Sequence, residues 1–165
     1  MLALPRECGA VETAILFKDP FVVGLPRGHP LAKESGIKPQ NLWGEDLLLL
    51  KDGHCLRAHA LGALRRLAHR SLAEFEATSL RTLVQMVDNG LRTTLLPTLA
   101  VDAGLLLGTS LITRPLLTDE PARNIGLVWR RGTGRREEFR LLAKELTQRA
   151  KVAVKSAALS PRAAE

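Results

Sequence analysis

The clearest signal in the chain is Leu47-Leu48-Leu49-Leu50, a short continuous apolar run of the kind found in a strand buried on both faces. It stops at Lys51-Asp52-Gly53, a turn signal. A second strand reads from Pro20 to Pro26 and closes at the turn-like Arg27-Gly28-His29-Pro30. From Cys55 to about Arg70 the pattern is helical: Leu56, Ala60, Leu64, Leu67 and Ala68 fall on one side, and Arg57, Arg65, Arg66 and Arg70 are left for solvent. A short strand over Phe75–Ala77 follows. Ser79 then reads as the N-cap of a helix carrying Leu80, Leu83, Val84 and Val87, stopped by Asn89-Gly90. Thr93–Leu96 gives a further strand, and Pro97 suits the first turn of a short helix. Leu111–Pro115 and Asn124–Trp129 are two more strands, and a last helix spans about Glu137 to Ala150, ahead of a frayed tail. Strands alternating with helices predict an α/β fold with crossover helices.

Composition narrows the function classes. The chain has 165 residues, 45% hydrophobic and 25% charged, the balance of a globular protein. No apolar run reaches the ~18–20 residues of a membrane helix, and the opening residues lack the apolar stretch of a signal peptide. A cytoplasmic protein with no membrane association is expected. The two cysteines, Cys8 and Cys55, are too few for a disulfide scaffold and fit no zinc-site spacing. The net charge of +7 invites a nucleic-acid reading. No helix-turn-helix, zinc finger or aromatic-rich sheet motif accompanies it, so a solvated basic surface is the reading preferred. There is no Gly-rich phosphate loop, His-Glu-x-x-His or Gly-x-Ser-x-Gly; neither enzyme activity nor a cofactor or metal is expected.

Several stretches resemble the second half of a LysR-type effector domain. They are Pro20 to Pro30 with Leu31-Ala32, then Thr78-Ser79-Leu80 with its helix, and Leu95-Leu96-Pro97 ahead of Ala100-Val101. Within that superfamily, Lys51-Asp52-Gly53-His54-Cys55-Leu56-Arg57 is similar to the peroxidatic segment of the OxyR family, and Pro121–Val128 to the strand carrying its peroxide-site arginine. The resemblance implies a two-lobed, periplasmic-binding-protein-like (Rossmann-like) effector domain. On that basis residues 1–17 are a remnant of the first lobe, 18–121 a complete second lobe, 122–150 the return to the first lobe and 151–165 a tail. The first lobe's opening elements and the preceding DNA-binding helices are then absent. Expected partners are hydrogen peroxide and other copies of the chain, as a homodimer or tetramer in intact family members; this chain alone is expected not to bind DNA.

Peroxide sensing needs a thiolate, the form that attacks the O–O bond. Cys55 lies at the expected start of a helix, where unpaired backbone N–H groups favour negative charge. His54 and Arg57 are neighbours able to donate to the sulfur or to a peroxide oxygen. By resemblance, Arg123 comes from across the lobe boundary to hold Cys55 or the leaving oxygen. Thr78 and Ser79 are ligand-cleft candidates by the same resemblance. Judged by residue type alone, Cys55 is a small buried hydrophobe, His54 a turn histidine, Arg123 a surface arginine and Ser79 an N-cap.

Two departures from the family stand out. Its resolving cysteine lies further along the same helix, and the matching position here is Leu64. Nine residues of helix span ~13.5 Å, beyond the ~7 Å limit for bridged Cα atoms, so the family's switch requires that helix to unwind. Leu64 cannot form the bond, and the chemistry is expected to stop at sulfenic acid or at capping by another thiol; whether Cys8 can resolve instead is left open. Arg92 replaces a usual glycine, which puts that turn or its packing in question. Two alternatives therefore stand beside a peroxide sensor. One is a small-molecule effector-binding module of an ordinary LysR-type regulator, and the other is a non-functional degenerate remnant. A thiol peroxidase and a basic DNA-binding protein are weaker readings.

Overall fold

The computed structural model describes residues 2–4, 10–51, 55–64, 72–118 and 122–159. In chain order the elements are β1 (Leu2–Leu4), β2 (Val11–Leu25), β3 (Leu47–Leu50), α1 (Cys55–Ala63), β4 (Leu72–Ala77), α2 (Leu80–Asp88), β5 (Thr93–Pro97), α3 (Thr98–Asp102), β6 (Ile112–Pro115), β7 (Ala122–Arg130) and α4 (Arg136–Leu159). The result is a mixed α/β fold. Contacts divide into a terminal unit, Met1–Lys18 with Arg123–Glu165, and a central unit, Asp19–Ala122.

The central unit is a sheet in the order β6-β2-β5-β3-β4. β3 runs parallel to β4 and β5, whereas β2 is antiparallel to β5 and β6. The parallel strands are joined by helical crossovers, as parallel pairing demands. All four leucines of β3 are buried, as the continuous run predicts, together with Phe21, Val22, Val23 and Leu25 from β2. α2 adds Leu83, Val84 and Val87 to the same core. Ser79 caps this helix by accepting from the Thr82 N–H at 3.1 Å, and Asn89 and Gly90 close it, Gly90 at φ +84°. α1 contributes Leu56, Ala60 and Ala63, followed by Leu64 in a turn. Leu67 and Ala68 lie outside the described residues.

Two short 3-10 helices, Pro30–Lys33 and Pro39–Leu42, went unforeseen. Prolines at their first positions fix φ where no N–H is needed. The Arg114 guanidinium closes the first of them by donating to the Ala32 carbonyl at 2.6 Å and the Glu34 carbonyl at 2.7 Å.

In the terminal unit β7 lies between β1 and β2, and β1 pairs with it antiparallel, Leu2 opposite Gly126 and Leu4 opposite Asn124. Gly126 is required by close approach: a Cβ there would stand 2.6 Å from the Ala14 carbonyl oxygen. α4 meets this sheet through Phe139, stacked on Trp129 with ring centroids 5.8 Å apart, and through Arg136, which donates to Glu12 at 2.9 Å. Ala143 is buried while Ile15, Leu141 and Leu142 are exposed.

Several expected boundaries move. β2 begins at Val11 rather than at Pro20, α1 gives way to a turn at Leu64, and α4 continues to Leu159. The extra length of β2 falls mainly in the terminal unit, where Thr13, Ile15 and Lys18 are exposed and the apolar signal is diluted. No glycine or proline interrupts α4 before Pro161, so the helix has no local reason to stop at Ala150.

Candidate functional site at the carboxyl edge of the central sheet

β3 and β4 run side by side and end together. Leu50 is the register partner of Ala77, and the Lys51 N–H donates to the Ala77 carbonyl at 3.0 Å. Two helices start from this edge: α1 at Cys55, four residues beyond Lys51, and α2 behind its cap Ser79, two residues beyond Ala77. Helix N-termini above the carboxyl ends of parallel strands are where open α/β sheets place ligand and reactive groups. The fold thus brings the Cys55 backbone and the Thr78-Ser79 pair to one edge of one unit.

Cys55 is the first residue of α1. Its register is fixed from behind by Leu56 and Ala60, 8% and 1% exposed. Arg57, in the first turn and half-buried, donates from Nη1 to the Leu50 carbonyl at 3.1 Å. The residue read as a neighbour able to donate to the sulfur is engaged with the end of β3. His54 and Cys8 lie outside the described residues.

Thr78 and Ser79 are both exposed. The Ser79 hydroxyl is committed to the helix, since it accepts from the Thr82 N–H and lies 2.9 Å from the Thr82 hydroxyl. Arg123 belongs to the terminal unit, where it is half-buried near the start of β7 and makes an interaction of its own. Leu64 is 2% exposed in the central core, a position that holds an apolar side chain and not a thiol. Arg92 takes the conformation that its glycine-like position demands, φ +138°, and its guanidinium pairs with Asp46 on the surface.

One contact near this edge had no signal in the sequence. Asp19, 2% exposed, accepts from the Leu99 N–H at 2.9 Å. Its buried carboxylate satisfies an otherwise orphan donor in the first turn of α3. The two residues are too far apart along the chain for any local pattern to link them. Among the described residues no group of three or more His, Cys, Asp or Glu could hold a metal ion, and no helix is long and apolar enough to cross a membrane.

Comparison with known proteins places this geometry in a family. Residues 2–151 match the LysR substrate binding domain. The chain is 38% identical over 149 residues to the DNA-binding transcriptional dual regulator OxyR of Escherichia coli (strain K12), covering 90% of this chain and 48% of that protein. It is 36% identical over 148 residues to the hydrogen peroxide-inducible genes activator of Dickeya chrysanthemi, with the same two coverages, 90% and 48%. The chain therefore spans about half the length of these regulators. Among solved structures, the reduced regulatory domain of OxyR2 from Vibrio vulnificus superposes with a TM-score of 0.78 at 38% identity, over 88% of this chain and 68% of that one. An OxyR cysteine-to-serine mutant from Corynebacterium glutamicum with H2O2 bound gives 0.81 at 33% identity, over 99% of this chain and 52% of that one. The chain belongs to the LysR substrate-binding-domain family, within which it is an OxyR-like regulatory domain, partial relative to full-length homologues.

Proposed function

We propose that the chain is the regulatory part of a hydrogen-peroxide-sensing LysR-type transcription regulator, and that peroxide reacts at Cys55. The observation that carries this reading is the position of Cys55 as the first residue of α1, at the carboxyl end of β3. The first helical N–H groups have no intrahelical acceptors and favour a thiolate there. The thiolate attacks one oxygen of the peroxide, the O–O bond breaks and the sulfur is oxidised to sulfenic acid. The departing hydroxide takes a proton and leaves as water. His54 and Arg123 supply the positive charge and donors around that step; their part rests on the resemblance to OxyR. Thr78 and Ser79 border the cleft. The central unit corresponds to the second lobe of the two-lobed family fold, and the terminal unit to part of the first.

Because position 64 is a buried leucine, the disulfide switch of the family is lost, and oxidation ends at sulfenic acid or passes to another thiol. DNA binding is assigned to a segment other than this chain, and assembly to a dimer or tetramer of the intact, cytoplasmic regulator. A small-molecule effector module is favoured by one observation: Thr78 and Ser79 stand exposed at the same edge. Graded peroxide with a sulfenic-acid trap, read by peptide mass spectrometry, separates the two. Trapping at Cys55 at low peroxide supports the sensor. A thiol that reacts no faster than in the unfolded chain removes it, and effector binding that survives Cys55→Ser then supports the second reading.

A further inference from the structure

Two hydrogen bonds hold the end of β3, one to β4 and one to the start of α1. On the strand side, the Lys51 N–H is held by the Ala77 carbonyl at 3.0 Å. On the helix side, the Arg57 guanidinium reaches back to the Leu50 carbonyl at 3.1 Å. Leu56, between Cys55 and Arg57, is buried against the sheet. The first turn of α1, which begins at Cys55, is thus tied to the end of β3 through Arg57. A helix N-terminus stabilises an anion only when its N–H groups point at that anion, and the effect falls off within a turn. Anything that sets the direction in which the chain enters α1 therefore sets how much thiolate is present.

We infer that Arg57 is the positioning residue for the Cys55 thiol, acting through its hydrogen bond to the Leu50 carbonyl rather than by contact with peroxide. This inference rests on the assignment of Cys55 as the reacting group. Three features of the site fit it. Arg57 is half-buried, so its guanidinium is not simply a solvated charge. Its carbonyl partner belongs to the fully buried strand β3, which gives the tether a rigid anchor. A guanidinium presents several donors in a fixed fork, so one N–H holds the Leu50 carbonyl in a defined direction.

The test is the pH dependence of iodoacetamide alkylation at Cys55 in the full chain, resolved from Cys8 by peptide mass spectrometry. Arg57→Ala removes the tether, Arg57→Met keeps the apolar stem without donors, and Arg57→Lys keeps one donor and the charge. The Ala and Met variants should raise the midpoint pH by about 0.5 or more, which is about threefold less thiolate below the midpoint, and Lys should recover most of the loss. The difference should persist in about 1 M KCl, where the Debye length is about 3 Å and a bare field effect is screened. Circular dichroism melts identify a variant that has unfolded, in which case Met carries the comparison. Profiles superimposable on the unsubstituted chain, or a difference abolished by salt, overturn the inference. A chain that gives no sulfenic acid at Cys55 defeats the peroxide reading alone, because alkylation still reports whether Arg57 orients the thiol.

Discussion

Thr93 and Thr94 are adjacent, both completely buried in β5, and differ in one respect. The Thr94 hydroxyl donates to the Leu48 carbonyl at 2.8 Å, whereas the Thr93 hydroxyl has no hydrogen-bond partner among the described residues. A buried polar group left unsatisfied costs about 1–3 kcal/mol, while a satisfied one contributes about 0.5–1.5 kcal/mol. Valine copies the shape of threonine with a methyl in place of the hydroxyl, and it also suits a central strand. Thr93→Val should therefore stabilise the chain by about 1 kcal/mol, taking the low end because a methyl is slightly larger than a hydroxyl in a packed core. Thr94→Val should destabilise it by about 1 kcal/mol, because the donated bond is lost and nothing replaces it. The difference of about 2 kcal/mol corresponds to melting temperatures separated by about 4–8 °C for a chain of this size. Urea denaturation followed by far-ultraviolet circular dichroism gives both values, provided the slope is unchanged. Equal destabilisation by the two substitutions would refute the assignment of Thr93 as an unmet donor.

Other outcomes follow from single contacts. Leu64→Cys should give a peroxide-dependent disulfide with Cys55, seen by non-reducing peptide mapping, while its loss of buried volume lowers stability by about 2 kcal/mol; a Cys55 that still stops at sulfenic acid counts against the proposed site. Arg92→Gly relieves a residue held at φ +138°, strain of about 1–3 kcal/mol. It loses only a surface pair with Asp46 of about 0–1 kcal/mol, so a raised melting temperature is expected and a lowered one contradicts it. Asp19→Ala orphans the Leu99 N–H and should cost about 1–2 kcal/mol in urea denaturation; an unchanged midpoint shows the cap to be idle. The Arg135 guanidinium, hydrogen-bonded to Glu138, holds that carboxyl below its ordinary value. The small stabilisation this gives is present above the ordinary carboxylate range and lost as pH falls through the lowered one. NMR titration of Glu138 should therefore show a lower midpoint than in Arg135→Ala.

What could be read in advance depended on how local the cause was. The leucine run of β3, the Ser79 cap and the Asn89-Gly90 stop of α2 are written within a few residues each, and all three hold in the structure. β1 is only three residues long and pairs with residues 124–126 at the other end of the chain, so no window contains its reason for being a strand. The early half of β2, with Glu12, Thr13 and Lys18, carries too many polar side chains to signal a strand by itself. The candidate site divides the same way. The start of α1 at Cys55 was legible from periodicity, whereas its chemistry was legible only through resemblance to a family. The engagement of Arg57 with Leu50 was not legible, because hydrophobic spacing assigned that arginine simply to the outer face of a helix.

The division of the chain into one continuous unit and one assembled from its two ends bears on the order of folding. The central unit, Asp19–Ala122, is a single stretch whose parallel strands are linked by short helical crossovers, so it can close with modest loop entropy. The terminal unit joins residues near the N-terminus to β7 and α4, so its pairing of β1 with β7 spans almost the whole chain. That long closure becomes inexpensive once the central unit has condensed and shortened the effective loop. The terminal unit is therefore the later and more easily opened part. Among the described pairings the partner of β1 is β7, so during synthesis that pairing forms only after residues 124–126 have emerged.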